Sequence, residues 1–186
     1  MRHEPHSLWH GMPLQHRQRG VTLVVALIFL GVLALLGATA AQVMGLQERM
    51  AGNARSRDLA FQAAESALAA AKAEVPGYAA TAFAGDIKTP GSGGLYLFNL
   101  CNPNSQAFWG GSGDKDCDGT AVSGFNWNAA GATKTPAVTV SEVKEQPKYV
   151  VEKMTDLAAA KRYRVTARGV GGDDSAVVIL QAIYVQ

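Results

Sequence analysis

Histidine is missing from most of this sequence. All four histidines lie within the first 20 residues, and none follows His16. Residues 21–186 therefore hold no imidazole, which excludes histidine-based catalytic triads and histidine-ligated zinc from that part of the chain. This absence does not exclude carboxylate or serine–lysine chemistry, but the sequence holds no motif for either. We therefore expect no enzymatic activity.

Runs of lysine or arginine are also missing. The formal net charge is only +2. The net charge before residue 21 is about +2, because Arg2, Arg17 and Arg19 are opposed there only by Glu4. The remainder of the chain is therefore near neutral. A neutral body without a basic cluster lacks the electrostatic footprint that binds nucleic acid. Nucleic acid is therefore not expected as a partner.

Charge is absent altogether from residues 21–41, which form one apolar run. A helix over this run is about 31 Å long, which matches the hydrocarbon core of a bilayer. A buried core helix is the alternative, but such helices are usually shorter and interrupted by polar residues. Because Arg17 and Arg19 flank its start, the positive-inside rule keeps that end in the cytoplasm. The sequence predicts a single-pass inner-membrane protein with residues 76–186 across the membrane, which is the periplasm if the cell is Gram-negative.

The helix is predicted to continue over residues 42–75. This segment has no proline and is rich in alanine, so its helical propensity is high. Pro76 and Gly77 then end it. Apolar residues recur at steps of three, four and seven, which predicts one face that packs against another layer. That predicted stripe consists of Ala54, Phe61, Ala64, Leu68, Ala71 and Val75.

Residues 76–186 are predicted to form a small β domain. Small and polar residues dominate the segment 76–135, which is predicted as loop anchored by Trp109 and Trp127. The final strand is apolar on both faces, so we expect it at the centre of the sheet. With the helix packed on a C-terminal antiparallel sheet, the fold class is α+β. The candidate strands are Leu95–Leu100, Val138–Val143, Tyr149–Met154, Arg162–Arg168 and Ala176–Val185.

The two cysteines, Cys101 and Cys117, both lie in this β domain. If the domain is exported, the pair predicts one disulfide that staples the long loop, with a stabilisation of roughly 3 kcal/mol. The alternative is two free thiols in a reducing compartment.

An acidic segment surrounds the second cysteine. Asp114, Asp116 and Asp118 alternate and precede Gly119, as in the first half of a calcium-binding loop. The glutamate expected at the twelfth position is missing, because Phe125 stands there. The segment is therefore either a calcium site or a solvated acidic turn. A calcium site would allow a calcium-dependent surface-binding module with residues 100–130 as the contact region.

The segment Arg17–Leu23 joins a basic leader, a glycine and the apolar run without a gap. This resembles the prepilin signal, in which a membrane peptidase cuts after the glycine and methylates the new N-terminus. The resemblance implies a leader over residues 1–20, cleavage between Gly20 and Val21, and N-methylation of Val21. A signal-anchor protein with a chance glycine is the alternative.

A second resemblance, to the PilX-type minor pilins, covers residues 17–75 and the C-terminal hairpin. It implies a type IV pilin fold and a low-abundance subunit that primes or caps the pilus at its tip. Implied partners are other minor pilins, the major pilin and a tip adhesin, with roles in adhesion and twitching motility. The resemblance is carried by GVTLVVALIFLGVLALLG, Gln47–Asn53, Ala60–Leu68, Tyr163–Gly169 and Val177–Gln181.

Val25 departs from the commonest prepilin pattern, which has glutamate at the fifth mature position. That carboxylate is understood to pair with the free amine of a neighbouring subunit. A subunit without it suits the first position of a fibre. The K-type minor pseudopilins of type II secretion share this absence, so a pseudopilin is the alternative. Those proteins usually carry a much larger inserted domain, so the size of this chain favours the pilus.

Overall fold

The long helix ends where the sequence predicts. The computed structural model describes residues 20–88 and 91–186. Helix α1 spans Val21–Glu74, and a 3₁₀ turn at Val75–Gly77 follows it. Pro76 lies in that turn, where its missing N–H breaks the α-helical hydrogen-bond ladder. The chain separates into two compact units, of which the first ends at Glu48 and the second spans Arg49–Gln186.

The described part of the first unit consists of the helical residues 21–48 and the turn at Gly20 that precedes them. All residues from 21 to 48 are exposed, although residues 21–47 carry no charge. Leu30 and Leu35, for example, are each 70% exposed. Within the described residues, α1 is the one helix long and apolar enough to cross a membrane. Because exposed apolar area costs about 25 cal/mol per Å², lipid or other helices must cover this surface.

The second unit contains a four-stranded sheet in the order β1-β4-β5-β6 and a separate two-stranded ribbon, β2-β3. The last three strands of the sheet form an antiparallel meander, in keeping with the predicted antiparallel sheet. The sheet as a whole is mixed, because β1 pairs with β4 in parallel. The strands are β1 (Leu95–Leu97), β2 (Asp114–Lys115), β3 (Ala121–Val122), β4 (Lys148–Lys153), β5 (Arg162–Val170) and β6 (Val177–Val185).

The candidate strand Val138–Val143 was predicted wrongly, because these residues form no strand. The side chain of Gln146 binds both backbone groups of Val140: Oε1 accepts from the Val140 N–H at 2.9 Å, and Nε2 donates to its carbonyl at 3.0 Å. A side-chain amide thus takes the place of a partner strand. Val138 itself is 78% exposed.

The face of α1 that meets the sheet differs from the predicted stripe. Ala64, Ala71 and Val75 are buried as predicted, but Ala54 and Phe61 are exposed. The buried face is made of small residues because the sheet approaches the helix backbone closely. A Cβ at Gly169 would lie 2.0 Å from the Ala60 carbonyl oxygen. The buried helix residues are Ser56, Ala60, Ala63, Ala64, Ala67 and Ala71.

The opposite face of the sheet is covered by an aromatic cluster, which the loop prediction for residues 76–135 missed. Trp109 and Trp127 are buried anchors, as predicted. The Trp127 indole donates to the Trp109 carbonyl at 2.7 Å, and the Trp109 indole donates to Asn104 Oδ1 at 2.8 Å. The segment is irregular but packed. The cluster comprises Ile87, Tyr96, Phe108, Trp109, Phe125, Trp127, Ala132 and Val150.

Strand β6 was predicted at the centre of the sheet, and that prediction was wrong. It lies at the edge, paired with β5 alone. Its apolar residues alternate between two environments. Tyr184 packs on the helix side, whereas Ile179 packs against the aromatic cluster. An apolar pattern on both faces therefore did not require a second neighbouring strand. Ile183 and Val185, on the same face as Ile179, remain exposed.

Candidate functional site

The start of α1 coincides with the predicted cleavage point. Gly20 forms a turn, and Val21 is the first helical residue. The Val24 N–H reaches the Gly20 carbonyl at 3.5 Å. Cutting between Gly20 and Val21 would therefore remove only chain that precedes the helix. The predicted leader residues 1–19 lie outside the described residues.

Val25 places an apolar side chain on this exposed helix, 43% exposed. No acidic residue occurs in α1 before Glu48. Residues 21–47 of α1 therefore offer no side-chain carboxylate to a neighbouring amine.

The predicted disulfide between Cys101 and Cys117 is present, with a Cα–Cα distance of 4.8 Å. It ties the segment after β1 to the turn that joins β2 and β3. This turn is tight, because the Asp116 N–H donates to the Thr120 carbonyl at 3.0 Å. Gly119 adopts a positive φ of 77°, which glycine tolerates. The disulfide thus holds the start of the long segment that covers the sheet against the β2–β3 turn.

The carboxylate of Asp116 closes that turn. Its Oδ1 accepts from the backbone N–H of Asp118 at 3.1 Å and of Thr120 at 2.9 Å. Its Oδ2 lies 3.7 Å from Lys88 Nζ. Two backbone donors and one cation therefore already satisfy this side chain.

Asp114 and Asp118, the other two predicted calcium ligands, lie in the same hairpin. A hydrogen bond from Ser105 lowers the pKa of Asp114. Among residues 20–88 and 91–186, no group of three or more acidic, histidine or cysteine side chains is placed to hold a metal ion. Calcium binding by this segment stays a prediction.

A buried ion pair that the sequence analysis missed joins β4 and β5. Arg164 donates from Nε and Nη2 to the two oxygens of Glu152 at 2.7 and 2.8 Å. Its guanidinium also stacks on Phe98, 4.6 Å from the ring centre. Burial raises the pKa of Glu152, and Asp86 adds to that effect against the lowering by Arg164. Opposite charges at cross-strand positions were the available signal, but it required the strand register.

The comparisons with known proteins agree with this architecture. The PilX N-terminal family matches residues 19–69. The family described as type IV pilus assembly protein PilX C-term matches residues 78–186, so the likeness extends through the aromatic segment. No curated protein matches the chain, and no solved structure does. Family matches at both ends cover most of the sequence, so the chain belongs to the PilX family of type IV pilus assembly proteins.

Proposed function

We propose that this chain is a minor pilin that primes or caps type IV pilus assembly at the fibre tip. It works with other minor pilins, the major pilin and a tip adhesin. The observation that carries the proposal is the first unit of α1, which is uncharged over residues 21–47 and exposed on every side. Such a helix is stable in lipid or in a bundle of similar helices.

Processing makes the transfer between these two environments possible. The prepilin peptidase removes residues 1–20 and methylates Val21, so the helix loses its charged leader. An end that carries only the N-methylated amine leaves the bilayer at a lower cost than one that also carries Arg17 and Arg19. We place the second unit in the periplasm, where the disulfide between Cys101 and Cys117 forms and persists.

Val25 supports the proposed position at the tip. A subunit with glutamate there can pair with the amine of the subunit assembled before it, whereas this subunit cannot. It is therefore suited to begin a fibre. Replacing Val25 with glutamate would bury a carboxylate in hydrocarbon unless an amine partner is present, at a cost of about 3 kcal/mol. We expect the V25E variant to initiate fewer pili.

Deletion of the gene, complemented in trans, tests this function. We expect loss of pili and of twitching, with recovery on expression of the wild-type chain and only partial recovery with V25E. A deletion strain that keeps its pili but loses protein secretion would instead support a type II secretion pseudopilin. Normal pili with lost adhesion would support a surface-binding module.

A further inference from the structure

The outer edge of β6 is unpaired. Within the described residues, no backbone hydrogen bond from residues 177–185 reaches anything but β5. The opposite edge of the sheet differs. There the Leu97 N–H donates to the Gly85 carbonyl at 3.1 Å, and the Leu95 carbonyl accepts from Ala84 at 3.4 Å. One edge of the sheet is thus covered by the chain itself, and the other is left open.

The open edge lacks every feature that usually protects one. Folded proteins block exposed edges with lysine, proline, a bulge or a short strand. Strand β6 runs over nine residues with the sequence VVILQAIYV, and its pairing with β5 has no bulge. Val177, Ile183 and Val185 are 40%, 59% and 62% exposed. An edge this long and apolar is a ready template for pairing with another strand unless it is covered.

A groove beside the edge can receive side chains of an added strand. It has a volume of about 390 Å³ and combines apolar walls with amides. Trp109 forms part of its floor and is held there by Asn104. An incoming strand would place alternate side chains here and use backbone hydrogen bonds along β6. The groove is lined by Asn104, Gln106, Trp109, Val177, Ile179 and Gln181.

A second copy of this chain fits the edge poorly. Strand β6 starts next to Ser56, whose hydroxyl bonds Asp173 at 2.9 Å, and reaches Leu68 through Tyr184 at 3.3 Å. It therefore runs in the same sense as residues 56–68 of α1. Antiparallel pairing of two β6 strands would set the two helices in opposite directions, which a fibre assembled from one membrane does not allow.

Parallel pairing of two copies is disfavoured by the acidic turn that precedes β6. Asp173 and Asp174 precede β6, whereas Lys161 and Arg162 lie beside its end, where Lys161 exchanges backbone hydrogen bonds with Gln186. Parallel copies would bring Asp173 and Asp174 of the two chains to the same end of the paired strands, which is unfavourable.

We propose that the free edge of β6 binds one extended, mainly apolar segment of a different pilus protein. That segment has an acidic group near Lys161 and a basic group near Asp174. The inference rests on the proposed function, because the partner that it describes belongs to the same pilus assembly. Backbone hydrogen bonding supplies affinity, and the groove and the two charged ends supply orientation.

Site-specific photo-crosslinking in piliated cells tests the proposal. A benzoylphenylalanine placed at Ile183 reports on the edge, and one placed at Val138, which is also exposed, is the matched control. We expect an adduct only from position 183, mapped by mass spectrometry to alternate residues of one segment in another protein. An adduct with a second copy of this chain, or equal adducts from both positions, would overturn the proposal.

The substitution Ile183→Lys blocks the edge without entering the core. With Val138→Lys as control, we expect about tenfold less of the I183K chain in sheared pili, at unchanged thermal stability of the full chain in detergent. Equal amounts of the two variants in pili would refute the inference. Absence of the wild-type chain from pili, or an unprocessed N-terminus, would instead count against the proposed function.

Discussion

Gly169 of β5 lies directly on the backbone of Ala60 in α1. A Cβ added to Gly169 would fall 2.0 Å from the Ala60 carbonyl oxygen and 2.5 Å from the Ala64 nitrogen. The neighbouring turn repeats the arrangement, since a Cβ at Gly171 would lie 2.1 Å from the Ser56 carbonyl oxygen. Helix and sheet therefore meet without side chains at these two points, which explains why the buried helix face consists of alanine and serine.

Replacement of Gly169 by alanine should consequently destabilise the second unit. The obstacles are backbone atoms, so the helix and the sheet must move apart, and we expect a loss of about 1–3 kcal/mol or more. The control is Gly172→Ala, because a Cβ there would meet nothing closer than 3.7 Å. Urea unfolding of the full chain in detergent measures both variants. Equal stability of G169A and G172A would contradict this close packing.

The disulfide should stabilise the aromatic segment. Cys101 and Cys117 are 16 residues apart, and a loop of this size contributes roughly 3 kcal/mol through the lost freedom of the unfolded chain. We expect the C101S/C117S double variant to lose about that much stability. Dithiothreitol should lower the thermal midpoint of the wild-type protein to that of the double variant and leave the latter unchanged. A wild-type midpoint that does not respond to the reductant would argue against a structural role.

Removing Arg164 should leave Glu152 as an unpaired buried charge. We expect Arg164→Met to cost about 3–5 kcal/mol. The double variant Glu152→Leu/Arg164→Met replaces the pair by apolar groups and should lose less than the single variant. A double-mutant cycle from urea unfolding checks this order. If R164M alone were the more stable of the two, the pair would not be needed to satisfy the buried carboxylate.

The acid sensitivity of the protein should depend partly on Glu145. Its partial burial would raise its pKa, but hydrogen bonds and charge from Lys148 and Arg168 prevail, and the pKa is lowered. A lowered pKa means that ionised Glu145 stabilises the fold above its unfolded-state pKa. That stability is lost as the pH falls through the folded-state value. Glu145→Gln should flatten the stability profile below about pH 5, measured by thermal unfolding across pH. An unchanged acid limb would show that other carboxylates dominate.

Local patterns in the sequence predicted the long helix and strands β4, β5 and β6, because hydrophobic periodicity and turn residues determine them. Predictions from local patterns failed where the structure depends on a segment that is distant in the sequence. Parallel pairing of β1 with β4 joins segments more than 50 residues apart. The edge position of β6 likewise depends on which strands assemble beside it.

At the candidate site, too, local features were predicted and features that depend on distant residues were not. The glycine at the start of the apolar run and the cysteine pair were readable from the sequence. The ion pair of Glu152 with Arg164 was not, because it requires the register of two strands. The helix face was predicted only in part, since Phe61 follows the apolar period but is exposed. The small residues of the buried helix face pack closely on Gly169 of β5. No pattern within the helix sequence reveals that contact.

The most direct test of the account is the mass of the mature N-terminus. Chain recovered from the envelope of cells with an active prepilin peptidase should begin with N-methylated Val21. Chain from cells without the enzyme should retain residues 1–20. Recovery of Met1 on chain from cells with the active peptidase would contradict the account, because the charged leader would then remain on the helix and keep it out of the fibre.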